Sequence, residues 1–232
     1  MRILFKYATR SRSIWFQKTI TQYKRKLSGK HSYTFVISCN TNDRKMNNRR
    51  MIKFMKSYQL EFYFGPHKNK IEAINADMEG RDFDILVVIS DDMIPKVRGF
   101  DDIIVQDMQK YFPNLDGALH YNDLSHCGAK VISLSIIGKK LYDRFGYIYW
   151  PEYISLWCDN EFTDIVRRLN KVQWLDKCVI KHDWKGNKGT CDSLYKKNNS
   201  FYDFDQVIYD RRKEQGFPGA LVDEKLQKTL KF

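Results

Sequence analysis

The sequence predicts an α/β domain with a central mixed, mostly parallel sheet, and three observations carry that expectation. Short apolar runs alternate with stretches of helical periodicity over the first ninety residues, the pattern of strands joined by helical crossovers. One run, Ile85 to Ile89 in "DFDILVVISDDMIP", has five apolar residues in succession, as a strand buried on both faces requires. The polar segments "TRSRS" and "NTND" and the pair Asp91–Asp92 each follow such a run. In parallel sheets ligands sit at the carboxyl ends of the strands, so these three segments should converge on one rim.

Taken in order, 2–7 ("RILFKY") reads as a first strand. Phe16, Ile20, Tyr23 and Leu27 then recur at helical spacing, predicting an amphipathic helix over 13–27. A second strand covers 33–39 ("YTFVISC") and stops at "NTND". A helix around 47–57, a strand at 60–65 and a helix at 69–78, with Ile71, Ile74 and Met78 on one face, lead to the strand at 84–89. A helix at 99–112 comes next, then "DGALHYND", "KVISLSIIG", a short helix "KKLYDRF" and the aromatic loop "GYIYWPEYISLW". After "CDN", Phe162, Ile165, Val166 and Leu169 repeat at i, i+3, i+4, i+7 and predict another helix. "VQWLDKCVIKHDW" reads as one late strand ending in His182; the chain then turns polar from about 185 and regains helical character at 203–215. The expected division is a single domain over 1–184, in two halves (1–95 and 96–184). A helical extension, 185–232, packs on it.

At 232 residues, with 43% hydrophobic and 15% aromatic composition, the chain can build a sizeable core and is not a disordered segment. No apolar run approaches the roughly 20 residues that cross a bilayer, and the start "MRILFKYATRSRS" lacks the form of a secretion signal. Five scattered cysteines with no C-x-x-C pair suggest neither a disulfide framework nor a zinc cluster. A soluble protein in a reducing cytoplasm is expected. The formal net charge of +12 fits nucleic acid, an anionic membrane surface or a small polyanionic substrate. The basic residues are spread along the chain, with clusters at "QYKRKLSGK" and "NDRKMNNRR", a pattern that solvated faces also produce. Zinc-finger spacing, RNP aromatics and a GXXG loop are all missing, which disfavours a nucleic-acid partner.

Two adjacent carboxylates closing a buried strand admit three roles. Either can be a turn or N-cap residue. As an acid/base pair they are poorly placed, because neighbours on an extended chain point to opposite sides. As a site for Mg²⁺ or Mn²⁺ they suit a hard cation that takes one or two carboxylates and fills its shell with water and phosphate. Arg10, Arg12, Lys68 and Lys70 fall near the same rim, where a nucleoside diphosphate needs cations.

The order "TRSRS", "NTND", "NKIEAINADM", "LVVISDDMIP", "CDNEFTDIVRRL" and "VIKHDW" resembles that of the nucleotide-sugar glycosyltransferases of the GT-A fold. It is closest in style to glycosyltransferase family 2 and its relatives in bacteria and their viruses, and spans roughly residues 2–184. The resemblance implies a DXD-like motif in which Asp92 binds the metal, Ser90 takes the place of the first acid and Asp91 serves the donor. It implies that Thr9, Arg10 and Asp43 cradle the nucleotide, with Arg12 nearby, and that Lys70 and Asn75 face the diphosphate. "CDNEF" resembles the acidic motif beside the acceptor, one carboxylate of which is the general base in the inverting members of the family; if this chain inverts rather than retains, Glu161 is the first candidate and Asp159 the second. Both also suit the first turn of a helix as capping or dipole-favoured acids. His182 matches the late histidine that completes the metal shell in many such enzymes. His120, Asp123, Tyr149 and Trp150, with Tyr147, are candidates for sugar or acceptor contacts, although aromatic residues are also ordinary core material.

The resemblance therefore implies metal-dependent sugar transfer from a nucleoside diphosphate donor, most simply a UDP-sugar, to a hydroxyl, with Mn²⁺ or Mg²⁺ as cofactor. Three rival classes compete with it. A nucleotidyltransferase would show an early Gly-rich loop, which "ATRSRS" is not. A basic nucleic-acid-binding module would bind DNA or RNA without need of a divalent metal, and a non-catalytic glycan-binding relic would hold donor without turnover.

Overall fold

The structure is a computed structural model describing residues 1–183 and 192–230. Its N-terminal half begins with β1 (Arg2–Thr9), α1 (Ser13–Lys26), β2 (Ser32–Asn40), α2 (Arg49–Ser57), β3 (Glu61–Gly65), α3 (Lys70–Asn75) and β4 (Ile85–Ile89). β1 pairs in parallel with both β2 and β4, and β2 with β3, as the strand–helix alternation requires. The short β5 (Met93–Pro95) follows the acidic pair, and α4 (Phe100–Tyr111) returns across the sheet. The remaining elements are β6 (Ala118–Tyr121), β7 (Ile136–Gly138), α5 (Lys139–Phe145), α6 (Cys158–Arg168), β8 (Val172–Leu175), β9 (Ile180–His182), α7 (Ser193–Asn199), α8 (Tyr202–Glu214) and α9 (Glu224–Thr229).

These strands form a seven-stranded sheet in the order β3-β2-β1-β4-β7-β6-β8 and a separate two-stranded pair, β5-β9. β7 runs antiparallel to β4 and β6, so the sheet is mixed but mostly parallel. β4 lies centrally and all five of its residues are buried. Ile85, Val87 and Ile89 join the core beneath α1, α2 and α4, while Leu86 and Val88 join the core on the opposite face. In α1 the periodic Phe16, Ile20 and Tyr23 are the buried side, as their spacing predicts.

One late element differs from expectation. "VQWLDKCVIKHDW" is two strands: β8 extends the main sheet beside β6, and β9 leaves it to pair antiparallel with β5. The residues between them, 176–179, carry Asp176 and Lys177 and break the ladder.

The C-terminal helices are tied to the domain through buried polar contacts. Asp205 of α8 accepts hydrogen bonds from the backbone N–H groups of Ile154, Ser155 and Leu156. The Tyr209 hydroxyl donates to Asp164 of α6 at 2.8 Å. The expected boundary at 184/185 lies outside the described residues, as does Cys191; the other four cysteines are unpaired.

Candidate active site

The three polar segments do meet at the carboxyl rim of the sheet. Ser11 adopts a left-handed conformation (φ 59°), which aims its N–H at Asp43 Oδ2, 2.6 Å away. The Asp43 carboxylate, buried at the end of β2, thereby ties the loop after β1 to the loop after β2. Arg10 donates to Asn42 Oδ1 at 2.9 Å across the same junction. Beside it opens a groove of about 500 Å³ lined by Arg10, Asn42, His67, Lys68 and, from α7, Lys197.

Asp91 and Asp92 occupy the turn between β4 and β5, and their side chains take opposite partners. Asp91 points inward: its Oδ1 accepts from the Tyr7 hydroxyl (2.7 Å) and from Thr9 Oγ1 (3.1 Å), and its carbonyl accepts from Thr19 Oγ1 (2.8 Å). Arg12 Nη1 stands 3.9 Å from its Oδ2. Burial pushes the Asp91 carboxyl up to about 7, against the pull of Tyr7, Arg12 and Thr9.

Asp92 turns the other way. The Ser90 hydroxyl donates to its Oδ1, and His182 Nε2 lies 3.7 Å from the same oxygen. Burial works to raise its pKa, but the hydrogen bond and charge of His182, with help from Ser90 and Arg12, outweigh it and hold the carboxyl below its ordinary range.

His182 reaches this point because β9 pairs with β5 in the register Met93↔His182. The Asp183 N–H donates to the Asp92 carbonyl at 2.7 Å, and the His182 N–H donates to the Asp123 carbonyl at 2.9 Å. On the far side of the ring, Nδ1 is 3.5 Å from Asp123 Oδ2, buried and without an aligned hydrogen bond. Burial disfavours the imidazolium, but Asp123 and Asp92 more than compensate and raise its pKa to about 9. Asp123 is in turn held down to about 2: His182, Ser133 and Ser125 overcome its burial.

A divalent cation fits these residues in a limited sense. Asp92 and His182 present a carboxylate oxygen and an imidazole nitrogen to a shared point, and Asp123 behind the ring completes a carboxylate–histidine arrangement of the kind that orients a metal-binding imidazole. Among the described residues no three His, Cys, Asp or Glu side chains are grouped to hold an ion by themselves. A hard cation here would need phosphate and water for the rest of its shell, as Mg²⁺ and Mn²⁺ commonly do. His182 would also have to release its proton to bind.

Several residues singled out from the sequence sit elsewhere. Glu161 is not open to an acceptor: both of its oxygens take hydrogen bonds from Arg212 of α8, each at 2.8 Å, and Oε2 also accepts from Tyr153. Asn75 spends its side chain on the 148–149 backbone, donating to the Tyr149 carbonyl and accepting from the N–H groups of Ile148 and Tyr149. His120 is buried edge-on against Trp174, with ring centroids 4.5 Å apart. Tyr149 shares a hydrogen bond with Ser135, and Trp150 stacks on the Arg212 guanidinium at 3.6 Å. Asp123, expected near the acceptor, is instead the partner of His182.

Asp159, by contrast, is only half-buried, at the first turn of α6. Its Oδ1 accepts from the adjacent Asn160 N–H, at 3.1 Å. Burial raises its pKa, while Lys70, the helix-end N–H groups and His182 pull it down, so it lies within electrostatic reach of the rim. Lys70, on α3, is exposed, with Nζ 3.4 Å from the Ser155 carbonyl. A contact that no local pattern announces is Arg12–Asp192: the guanidinium binds both oxygens of the α7 cap at 2.7 and 2.9 Å.

No family model matches the chain, and no curated protein matches it in sequence. Solved structures do match. The Pyrobaculum calidifontis mannosyltransferase PcManGT, in complex with GDP-Man and Mn²⁺, superposes with a TM-score of 0.59 at 11% identity over 91% of this chain. S. aureus TarS (residues 1–349) gives 0.63 at 12% identity over 99% of it. Glucosyl-3-phosphoglycerate synthase from Mycobacterium tuberculosis, in complex with Mn²⁺, UDP-glucose and phosphoglyceric acid, gives 0.62 at 10% identity over 91%. The chain spans 64%, 69% and 79% of those three proteins, respectively. The protein has the GT-A fold of the nucleotide-sugar glycosyltransferases.

Proposed function

We propose that the protein transfers a sugar from a nucleoside diphosphate donor, a UDP-sugar in the simplest case, to a hydroxyl acceptor with the aid of a divalent cation. The observation that carries this is the placement of Asp92 and His182 side by side, 3.7 Å apart, at the carboxyl end of the central strand of a GT-A sheet. The donor half is 1–95, the acceptor half 96–184 and the extension 185–232.

Asp92 and His182 would hold the cation, with Asp123 steadying the imidazole. When bound, the cation supplies positive charge to the diphosphate as it departs. Thr9 and Asp91 form the floor of the donor site, and Asp43 keeps the loop after β1 closed over it. Arg10, Arg12 and Lys70 add fixed positive charge around the phosphates, stabilisation that is strongest where water is excluded. Asp159 takes the acceptor proton: it is half-exposed at the start of α6, and its raised pKa makes it a better base than a fully solvated carboxylate. Among the structural neighbours, both GDP- and UDP-containing complexes occur, so the base is tested rather than assumed.

The test is donor turnover in the parent and in Asp92→Asn, read as nucleotide release from a panel of UDP- and GDP-sugars. Metal-dependent release with one donor class, lost in the variant, supports the assignment. Equal release in both proteins contradicts it.

A further inference from the structure

The net charge of the chain is not spread along it. Residues 10–60 contain thirteen of the 40 Lys and Arg but one of the 28 Asp and Glu, so this stretch alone carries +12 and the remainder, with 27 of each sign, carries none. The single acid, Asp43, is buried and hydrogen-bonded to Ser11, and does not reach the surface.

The fold gathers part of this charge on one side of the sheet, while Arg12 pairs with Asp192 and Lys30 with Asp102. α1 and α2 lie next to each other there: Phe16 meets Phe54 with ring centroids 6.1 Å apart, and Thr21 Oγ1 is 3.0 Å from the Tyr58 hydroxyl. Each helix buries its apolar face and turns a cationic stripe outward. On α1 the exposed stripe is Lys18 and Arg25; on α2 it is Arg49, Arg50 and Lys53, at one-turn spacing, with Lys56 beyond. None of these six forms an ion pair with a carboxylate among the described residues. At the end nearest the rim, directly after Arg12, Ile14 and Trp15 are 66% and 42% exposed.

We infer that this two-helix face docks on an anionic lipid bilayer. A cationic surface with an isoleucine and a tryptophan at one edge has the composition of an interfacial helix pair, basic residues meeting the headgroups and the apolar edge entering the acyl boundary. A nucleic-acid surface would use the same cations, but it has no need of an exposed isoleucine. Charge complementarity and the apolar edge together favour the bilayer. Because Ile14 and Trp15 adjoin Arg12, docking brings the rim to the membrane surface and selects a membrane-presented acceptor. That selection rests on the proposed function, whereas the docking does not.

The experiment is co-sedimentation of the full chain, without donor, with phosphatidylcholine vesicles lacking or containing phosphatidylserine. Binding to the anionic vesicles alone is expected, weakened by molar salt. The triple substitution Arg49→Ala, Arg50→Ala, Lys53→Ala should lower the partition roughly fivefold per charge, on the order of a hundredfold in all. Ile14→Ser with Trp15→Ser should weaken binding further at high salt. These positions are exposed, so circular dichroism should be unchanged, and the Asp92→Asn protein should bind vesicles as the parent does. Equal binding to both vesicle types, parental binding by the triple variant, or tighter binding to an oligonucleotide than to the anionic vesicles at the same salt would overturn the inference. Absence of transfer by the parent protein, with its vesicle binding intact, would count against the catalytic proposal alone.

Discussion

Glu161 and Arg212 face each other with two parallel hydrogen bonds of 2.8 Å, and both side chains are at most 4% exposed. The pair fastens α8 to α6, with Tyr153 donating to one carboxylate oxygen and Trp150 lying over the guanidinium. Removing one partner leaves a buried charge without its counterion, which typically costs about 3–5 kcal/mol. Glu161→Gln should therefore lower stability by an amount of that order in chemical denaturation while the folded fraction keeps its turnover number. A turnover loss without a stability loss would restore Glu161 as a catalytic group.

Asp159 gives the opposite expectation. Asp159→Asn removes the acceptor-side base and should reduce turnover roughly 10²–10⁴-fold, the usual range for a lost general base. Its melting temperature should stay near the parent's, because its carboxylate is bonded to the neighbouring N–H rather than to a distant element. Single-turnover rates for the two variants, measured side by side, separate the roles.

How much of this was legible in the chain depends on the range of the contact. The strands up to β4 and their convergence on one rim follow from local periodicity and from the rule that parallel strands end on a common edge. That adjacent Asp91 and Asp92 part company was expected from strand geometry, but both lie in the turn after β4, closed by the Met93 N–H on the Ser90 carbonyl. The late region was harder to read. A run of 13 residues from Val172 to Trp184 looks like one strand, but polar residues at 176–177 let its second part cross to β5, and only that register brings His182 to Asp92. Glu161 was misjudged because its partner lies 51 residues away on α8, and Arg12 meets Asp192 across 180 residues. No spacing rule reaches that far. The location of the net charge, by contrast, was legible throughout: a count over 10–60 finds it.

Asp123 is placed to orient His182 rather than to touch substrate. Replacing such an outer partner usually weakens metal affinity by about 10–100-fold. Asp123→Asn should accordingly raise the Mn²⁺ concentration needed for half-maximal turnover by that factor, with turnover at saturating Mn²⁺ largely recovered. A turnover loss that excess metal does not repair would place Asp123 elsewhere in the chemistry.

His120 sets an acid limit on stability. Burial, reinforced by Arg167, lowers its pKa to about 4. Between that value and the unfolded value near 6.5, the unfolded chain holds a proton that the folded chain does not, so stability rises with pH across this window and is flat in this respect above it. Denaturation free energy should fall by close to one proton's worth of slope as pH drops from 6.5 to 4. His120→Gln should flatten that component. An unchanged slope in the variant would show that other groups carry the acid sensitivity.

The central claim is that Asp92 and His182 form a two-donor perch that a diphosphate completes. Calorimetric titration of Mn²⁺ into the protein with and without UDP tests it most directly. Weak binding of Mn²⁺ alone, much tighter binding once UDP is present, and loss of that cooperation in Asp92→Ala is the result expected. UDP binding that is equally tight in the presence of a chelator, or Mn²⁺ binding that survives Asp92→Ala unchanged, would contradict it.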